Sequence, residues 1–433
     1  MKYISTKANH AITIEEALFS GTSKGGGLYM PEFIPKIQTE EFKTFNNFQE
    51  FSYQLLSYFF VGSTIEDDLE DIVNNSLNFP VIHRDISEDQ NHYSVLELFH
   101  GPTAAFKDFG ARFLASSMST ILKKANRSDL YTILVATSGD TGGAVASAFY
   151  QRPEFKVAVL FPEGRVSPRQ QHQLTCWGKN ITSLAVKGEF DDCQRLVKEA
   201  FNNPELSLKH NLCSANSINI GRLLPQTTYY AWSSIKYQQT TGLPSSFIIP
   251  TGNLGNAFAC FIAKEMGFPI DRIIFSTNAN KTIPDFLATK EWSPRPTLPT
   301  LASAMDVGNP SNMERFFYQY QDTDRLLSVL ESFSVGDNEI KDQIRYQYEK
   351  NQVAICPHTA TAFHTYRNLP TSYLEGSHWT LVATAHPAKF ENIVEPIINV
   401  ELEIPGNLKT LMDLESSVNC IEPSLEHLSS YLS

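Results

Sequence analysis

The chain has 433 residues, of which 42% are hydrophobic and 19% charged, and a formal net charge of −12. That length exceeds what one core usually serves and the apolar content offsets chain entropy, so two or three globular domains are expected and extended disorder is argued against. The negative balance opposes broad contact with nucleic acid or an anionic membrane, and neither a spanning apolar stretch nor a secretory h-region is present, so a cytoplasmic protein handling a small molecule is expected.

Roughly the first 85 residues carry aromatic-rich helical stretches such as FQEFSYQLLSYFF and a glycine-rich turn at Gly25, Gly26 and Gly27, with little strand signal. They predict a separate, mainly helical N-terminal domain over 1–90. The strand YSVLELF then leads through HGPT to a helix that Asp108 is expected to cap and whose Phe109, Phe113, Leu114, Met118 and Ile121 form one apolar stripe. Lys107 stands at the start of that helix. Most lysines are solvated surface charges, but one desolvated at the edge of a sheet holds its proton less tightly and becomes a nucleophile for a carbonyl.

Beyond this point one unit recurs: an apolar strand, a turn rich in Gly, Ser, Thr and Asn, then an amphipathic helix. YTILVA precedes TSGDTGG and AVASAFY; FKVAVLF precedes SPRQQHQL, where Ser167, Pro168 and Gln170 form a helix-start signature; ITSLAVKG precedes DDCQRLVKEAFN. FIIP precedes TGNLGNAFACFIAKEMG, and RIIFST and WTLVAT are further strands. The alternation predicts parallel sheet covered on both faces, where ligands sit at the carboxyl ends of strands.

Four loops occupy such places. Thr137 to Gly143 joins a strand to a helix start, where glycines and the helix dipole suit an anion, although such turns are also common without a ligand. Asn216 to Arg222 groups amide and hydroxyl side chains with an arginine suited to phosphate or carboxylate, or merely caps a helix. Gly252, Asn253, Leu254, Gly255 and Asn256 match neither the dinucleotide nor the Walker pattern and would suit a single phosphate, or a plain turn. Thr384 to Lys389 ends WTLVAT. The scattered cysteines Cys176, Cys193, Cys213, Cys260, Cys356 and Cys420 are expected as buried free thiols, and His358 and His364 do not share a helical face, so no metal site is expected. Residues after about Pro405 are weakly patterned and are expected at the periphery. A buried amine beside a small phosphate cradle is what pyridoxal phosphate requires.

In this order and at these separations, HGPTAAFKDF, ATSGDTGG, SANSINIGR, IPTGNLGN and ATAHPAKF resemble the threonine synthase family, microbial and fungal branch, and the opening GGGLYMPEFIP is similar to that family's N-terminal domain. The resemblance implies an α/β protein. Two parallel-sheet domains of the tryptophan synthase β-like fold, a large one over 91–129 and 216–433 and a small one over 130–215, would accompany the N-terminal domain. It implies that Lys107 holds pyridoxal 5'-phosphate as an imine and moves protons, that Gly252, Asn253, Leu254, Gly255 and Asn256 cradle the cofactor phosphate, and that Thr384 faces the ring nitrogen. Asp140 would stand beside the cofactor 3-hydroxyl, where relatives place an asparagine. Ser138, Gly139 and Thr141 would receive the substrate carboxylate, and Ser217, Asn219 and Arg222 its phosphate. The implied reaction converts O-phospho-L-homoserine and water to L-threonine and phosphate in a monomer or small homo-oligomer. The rival on the same scaffold is a lyase releasing 2-oxobutyrate.

Overall fold

The computed structural model describes residues 1–432 except Asn9, Lys24, Asp89 and Gln90. Three short strands, β1 (Tyr3–Ser5), β2 (Ala11–Ile12) and β3 (Tyr29–Pro31), form an antiparallel sheet in the order β2-β1-β3 beside the expected N-terminal helices. Runs of two or three residues are too short to display an alternating pattern, so this sheet leaves little trace in the sequence. Helix α1 (Ile14–Ser20) opens on a capping box between Thr13 and Glu16. Helix α2 (Phe48–Phe60), capped by Asn47, buries Phe48, Phe51, Leu55, Leu56, Phe59 and Phe60 along one face, and α3 (Leu69–Ser76) follows it.

Strands β4 (Ile82–Glu88) and β5 (Asn91–Glu97) make an antiparallel hairpin and lead to α4 (Lys107–Lys124). The chain then crosses to a second body: β6 (Tyr131–Ala136), α5 (Asp140–Phe149), β7 (Phe155–Pro162), α6 (Pro168–Thr175), β8 (Ile181–Val186), α7 (Phe190–Asn202) and β9 (Leu212–Cys213). It returns through α8 (Gln226–Thr241), β10 (Ser245–Pro250), α9 (Gly255–Met266), β11 (Ile270–Thr277), β12 (Glu331–Ser334), α10 (Pro357–Arg367) and β13 (His378–Ala383), and ends with β14 (Asn419–Ile421) and α11 (Leu425–Leu432). The six-stranded sheet runs β12-β11-β10-β13-β5-β4, parallel except for the edge strand β4, which pairs antiparallel with β5, and the five-stranded sheet β14-β8-β7-β6-β9 is parallel throughout.

Two domain limits differ from the expected ones. The large sheet begins at Ile82, inside the expected 1–90 domain, because β4 pairs with β5 along its length. The expected 216–433 segment also leaves the large body at its end: Asn419–Ile421 pairs with Leu184–Val186, and Ile421, Leu428 and Leu432 are buried in the small-body core with Cys193 and Leu196. The C-terminal stretch is therefore an edge strand and helix of the small body, whose three apolar anchors are too few to register as a pattern.

Aromatic packing fixes the helix that carries Lys107. Phe109 lies 4.6 Å from Phe79, 5.0 Å from Tyr229 and 6.0 Å from Phe48, ring centre to ring centre, and Phe60 lies 5.6 Å from Phe113. Burying one such ring stabilises by roughly 1.5–3 kcal/mol. The N-terminal helices and α8 thus clamp α4 from both sides, and the start of α4 faces the crevice between the two parallel sheets.

Among the described residues no helix is long and apolar enough to cross a membrane and no cluster could hold a metal ion. Cys176, Cys193, Cys213, Cys260 and Cys356 are buried free thiols as expected, whereas Cys420 is exposed.

Candidate active site

The turn before α4 is stitched to the end of β13. Phe106 N–H donates to Thr384 O at 2.8 Å, His386 N–H to Ala104 O at 3.0 Å, and Ala105 bridges Ala385. Asp108 does not cap α4 as expected. It is the second helical residue, and its carboxylate turns back to accept from Thr103 N–H at 2.9 Å and Thr103 Oγ at 2.7 Å, which locks the turn instead. These bonds bring Lys107 and Thr384 to one place although 277 positions separate them in the chain.

A cavity of about 100 Å³ opens there, lined among others by Lys107, Asp140, Thr141, Ser217, Arg222, Gly252, Asn253, Leu254, Gly255, Asn256, His358 and Thr384. Ser138, Gly139 and Asn219 do not line it. Gly139, with φ 138°, opens α5, but its N–H is taken by Thr137 Oγ at 3.0 Å, so the side of the loop expected to meet a carboxylate is partly turned inward. Asn219 is fully buried: its Nδ2 donates to Leu18 O at 2.8 Å and Ser214 O at 2.9 Å, and its Oδ1 accepts from Gly221 N–H at 2.9 Å. Its side chain is consumed by the fold, which corrects the expected phosphate contact.

The loop after β10 has the form of an anion cradle. A Cβ on Gly252 would lie 2.7 Å from Met305 Cα, and Leu254 adopts a left-handed conformation at φ 63° immediately before α9. The side chains here brace the loop. Thr251 Oγ donates to Asn256 Oδ1 at 2.7 Å and Asn256 Nδ2 to Pro250 O at 3.0 Å. Asn253 Nδ2 donates to Ser217 Oγ at 2.6 Å, and Asn312 Nδ2 donates to Asn253 O at 2.8 Å. The first N–H groups of α9 lack backbone partners one turn back and carry the positive end of its dipole, although Ala257 N–H is taken by Asn256 Oδ1 at 2.9 Å. A single phosphate suits that arrangement.

The electrostatics are those of a buried charge cluster. Desolvation, first of all, pushes the Lys107 ammonium down to about 8; Asp140 opposes this, and Arg222 and Lys389 add to it. Burial pushes Arg222 down to about 10, with Asp108 opposing. Arg222 Nη1 donates to Ala215 O, whereas its Nε is buried without a hydrogen-bond partner among the described residues. Burial by itself would raise the Asp140 carboxyl, but the cations of Lys389 and Lys107 hold it well below the ordinary carboxylate range.

Three participants were not identified from the sequence. Lys389 is completely buried, with Nζ 2.9 Å from Asp140 Oδ1 and 2.5 Å from Thr103 O. His358 is pushed down to about 4 by burial; its Nε2 accepts from Ala304 N–H at 3.0 Å, and its Nδ1 has no partner among the described residues. Gly110, one turn into α4, leaves room for the guanidinium, since a Cβ there would lie 2.9 Å from Arg222 Nε. A lysine two residues after Pro387 and a histidine directly after Pro357 give no periodic signal, and only their tertiary neighbours mark them.

These features fit pyridoxal phosphate. The cradle admits no Cβ at Gly252, Arg222 and His358 line the cavity and each keeps a buried side-chain nitrogen without a partner among the described residues, and Lys107 supplies an amine of lowered basicity.

Comparison with known proteins agrees. Residues 82–384 match the pyridoxal-phosphate dependent enzyme family, 2–77 the threonine synthase N terminus and 359–432 the threonine synthase C-terminal family. The chain is 37% identical to threonine synthase of Serratia marcescens, over 98% of this chain and 97% of that one. The crystal structure of threonine synthase from Escherichia coli superposes with a TM-score of 0.90 at 35% identity, covering 100% of this chain and 99% of that one. The crystal structure of PLP-bound threonine synthase from Brucella melitensis gives 0.90 at 32% identity, covering 100% and 98%. The chain belongs to the threonine synthase family of pyridoxal-phosphate dependent enzymes.

Proposed function

We propose that this chain converts O-phospho-L-homoserine and water to L-threonine and phosphate, with Lys107 as the residue that holds pyridoxal phosphate and carries protons. One observation supports the substrate above all: beside the Lys107 amine and the Gly252–Asn256 cradle, the same cavity holds a second anion station at Arg222, whose Nε is buried and unpartnered among the described residues. An enzyme acting on an unphosphorylated hydroxy amino acid has no need of it.

When bound, pyridoxal phosphate supplies an aldehyde that captures an amine covalently and a ring that draws electrons from the carbon bearing that amine. Gly252 to Asn256 and the N-terminus of α9 would hold its phosphate, and Thr384, which lines the same cavity, would offer a hydroxyl to the ring nitrogen. Unlike a carboxylate, that hydroxyl does not require the nitrogen to stay protonated. Asp140 stays ionised beside Lys107. Thr141, in the first turn of α5, receives the substrate carboxylate.

Lys107 Nζ takes one proton from substrate Cα and a second from Cβ, returns one at Cγ once phosphate has left, and returns the other at Cα after water has added its hydroxyl at Cβ and given its remaining proton to the phosphate. With its basicity lowered towards neutrality, the amine serves as both base and acid near physiological pH. Arg222 and Ser217 bind the departing phosphate. A preorganised donor aimed at developing charge is worth about 3–4 kcal/mol in the transition state.

The test is a product analysis of purified protein with pyridoxal phosphate and O-phospho-L-homoserine. Threonine and phosphate in equal amounts are expected; 2-oxobutyrate as the main product would replace the synthase reading with a lyase.

A further inference from the structure

We propose that Lys389 is a positioning residue for this reaction: it reaches from the six-stranded body into the five-stranded body and fixes the Asp140 carboxylate, and with it the first turn of α5, in front of Lys107. The proposal rests on the Lys107 assignment above.

A fully buried lysine is rare, because removing its ammonium from water costs several kcal/mol unless partners compensate. Lys389 has two. Its backbone lies in the short turn Pro387–Phe390 after β13, in the large body; its Nζ meets Thr103 O, in the turn that leads to Lys107, and Asp140 Oδ1, in the first turn of a small-body helix. One ammonium therefore ties together three of the segments that make the site.

The small body grips the same turn. Ser167 Oγ donates to Lys389 O at 2.8 Å and Arg169 Nη1 to Ala388 O at 2.9 Å, while Gln170 Nε2 donates to Asp140 Oδ1 at 3.1 Å. Ser167 caps α6, and Arg169 and Gln170 belong to its first turn, so a single helix start orients both partners of the ion pair. Both bonds to Asp140 fall on Oδ1, which leaves Oδ2 available to a ligand in the cavity that Asp140 lines.

The arrangement also decides how Asp140 acts on Lys107. Among the described residues, the charged and titratable groups around the pair are Lys107 and Asp108 on α4, Cys356 and His358 at the start of α10, His386 just before the Lys389 turn and Arg222 before α8. With Lys389 in place, Asp140 divides its attraction between two ammonium groups, and the Lys389 charge itself repels a proton from Lys107. Without Lys389, Lys107 would be the nearest cation left to Asp140 and its amine would be quenched.

The experiment reads Lys107 directly in cofactor-free protein: its acetylation by acetic anhydride is followed across the pH range by mass spectrometry of the peptide that contains it. No substrate is present, so the result does not depend on which product the enzyme releases. Lys389→Met is expected to raise the titration midpoint of Lys107 and slow its labelling at pH 8 by about fivefold, whereas Asp140→Asn is expected to lower the midpoint and speed labelling up to about twofold. Lys389→Arg, which keeps the charge, stays near the parent. Opposite shifts support the proposal, because mere loosening of the site would move both variants the same way. Equal or absent shifts overturn it. Should Lys389→Met not fold, the double variant Asp140→Asn/Lys389→Met removes both buried charges together. A midpoint above that of Asp140→Asn alone then supports the proposal, and a midpoint equal to it overturns it.

Discussion

Gly252 and Met305 pass so closely that no side-chain carbon fits between them: a Cβ at 252 would sit 2.7 Å from Met305 Cα and from Met305 O. Both contacts are backbone atoms, which cannot turn away as a flexible side chain would. Gly252→Ala is therefore expected to push the cradle off the 303–305 turn and weaken cofactor retention at least tenfold, a loss of about 1.4 kcal/mol. Titration of cofactor-free protein with pyridoxal phosphate, followed by its visible absorption, measures this, and affinity equal to the parent would remove the contact from the argument.

Arg222→Ala is expected to lower turnover a hundredfold or more, about 3 kcal/mol of lost transition-state stabilisation, while the absorption of bound cofactor is retained. Arg222→Lys restores little, because a single ammonium cannot both hold Ala215 O and present a second donor as the guanidinium does. Steady-state kinetics with O-phospho-L-homoserine, paired with the absorption spectrum, separate the two effects.

Asn219→Ala is expected to act on stability rather than chemistry. It strands Leu18 O, Ser214 O and Gly221 N–H in a fully buried setting, at a cost of about 1–3 kcal/mol. Urea unfolding with a lowered midpoint, and turnover per folded molecule close to the parent, is the expected pair of results. A large rise in KM with unchanged stability would return Asn219 to the substrate site.

Lys107 makes stability pH-dependent. Its folded value lies at about 8, while an unfolded lysine titrates near ~10.4. Between these values the unfolded chain binds a proton that the folded chain does not, so stability rises with pH across that window, and the full penalty applies below it. Lys107→Met should thus stabilise cofactor-free protein at neutral pH, by at most about 3 kcal/mol since solvent reaches part of the side chain, and have little effect near pH 10.5. Equal gains at both pH values would mean the amine is not titrating in the folded state.

The ordered loops were legible because their chemistry is local. A glycine that must admit another backbone, an amide-rich turn between strand and helix, and a lysine inside an apolar run each leave a mark within a few residues. Strands such as YTILVA and WTLVAT were legible for the same reason: buried on both faces, they read as continuous apolar runs. By contrast, β1, β2 and β3 are too short for any period to show, and β14 is a strand only because Leu184–Val186 offers it an edge.

The sequence by itself therefore determined the parallel α/β architecture, the family and most of the residues around the cavity. What it left open was which polar side chains serve the site and which serve the fold. Asn219 and Arg222 are three positions apart and equally plausible as phosphate ligands on paper, yet the amide finds carbonyl and N–H partners on all sides and lies outside the cavity, while Arg222 lines it and keeps an unpartnered Nε among the described residues. Likewise Lys389, named only as the end of a candidate loop, has no role until the fold brings it to Asp140. A buried polar group is defined by the partners that surround it, and those come from distant parts of the chain, so only the tertiary structure could make that division.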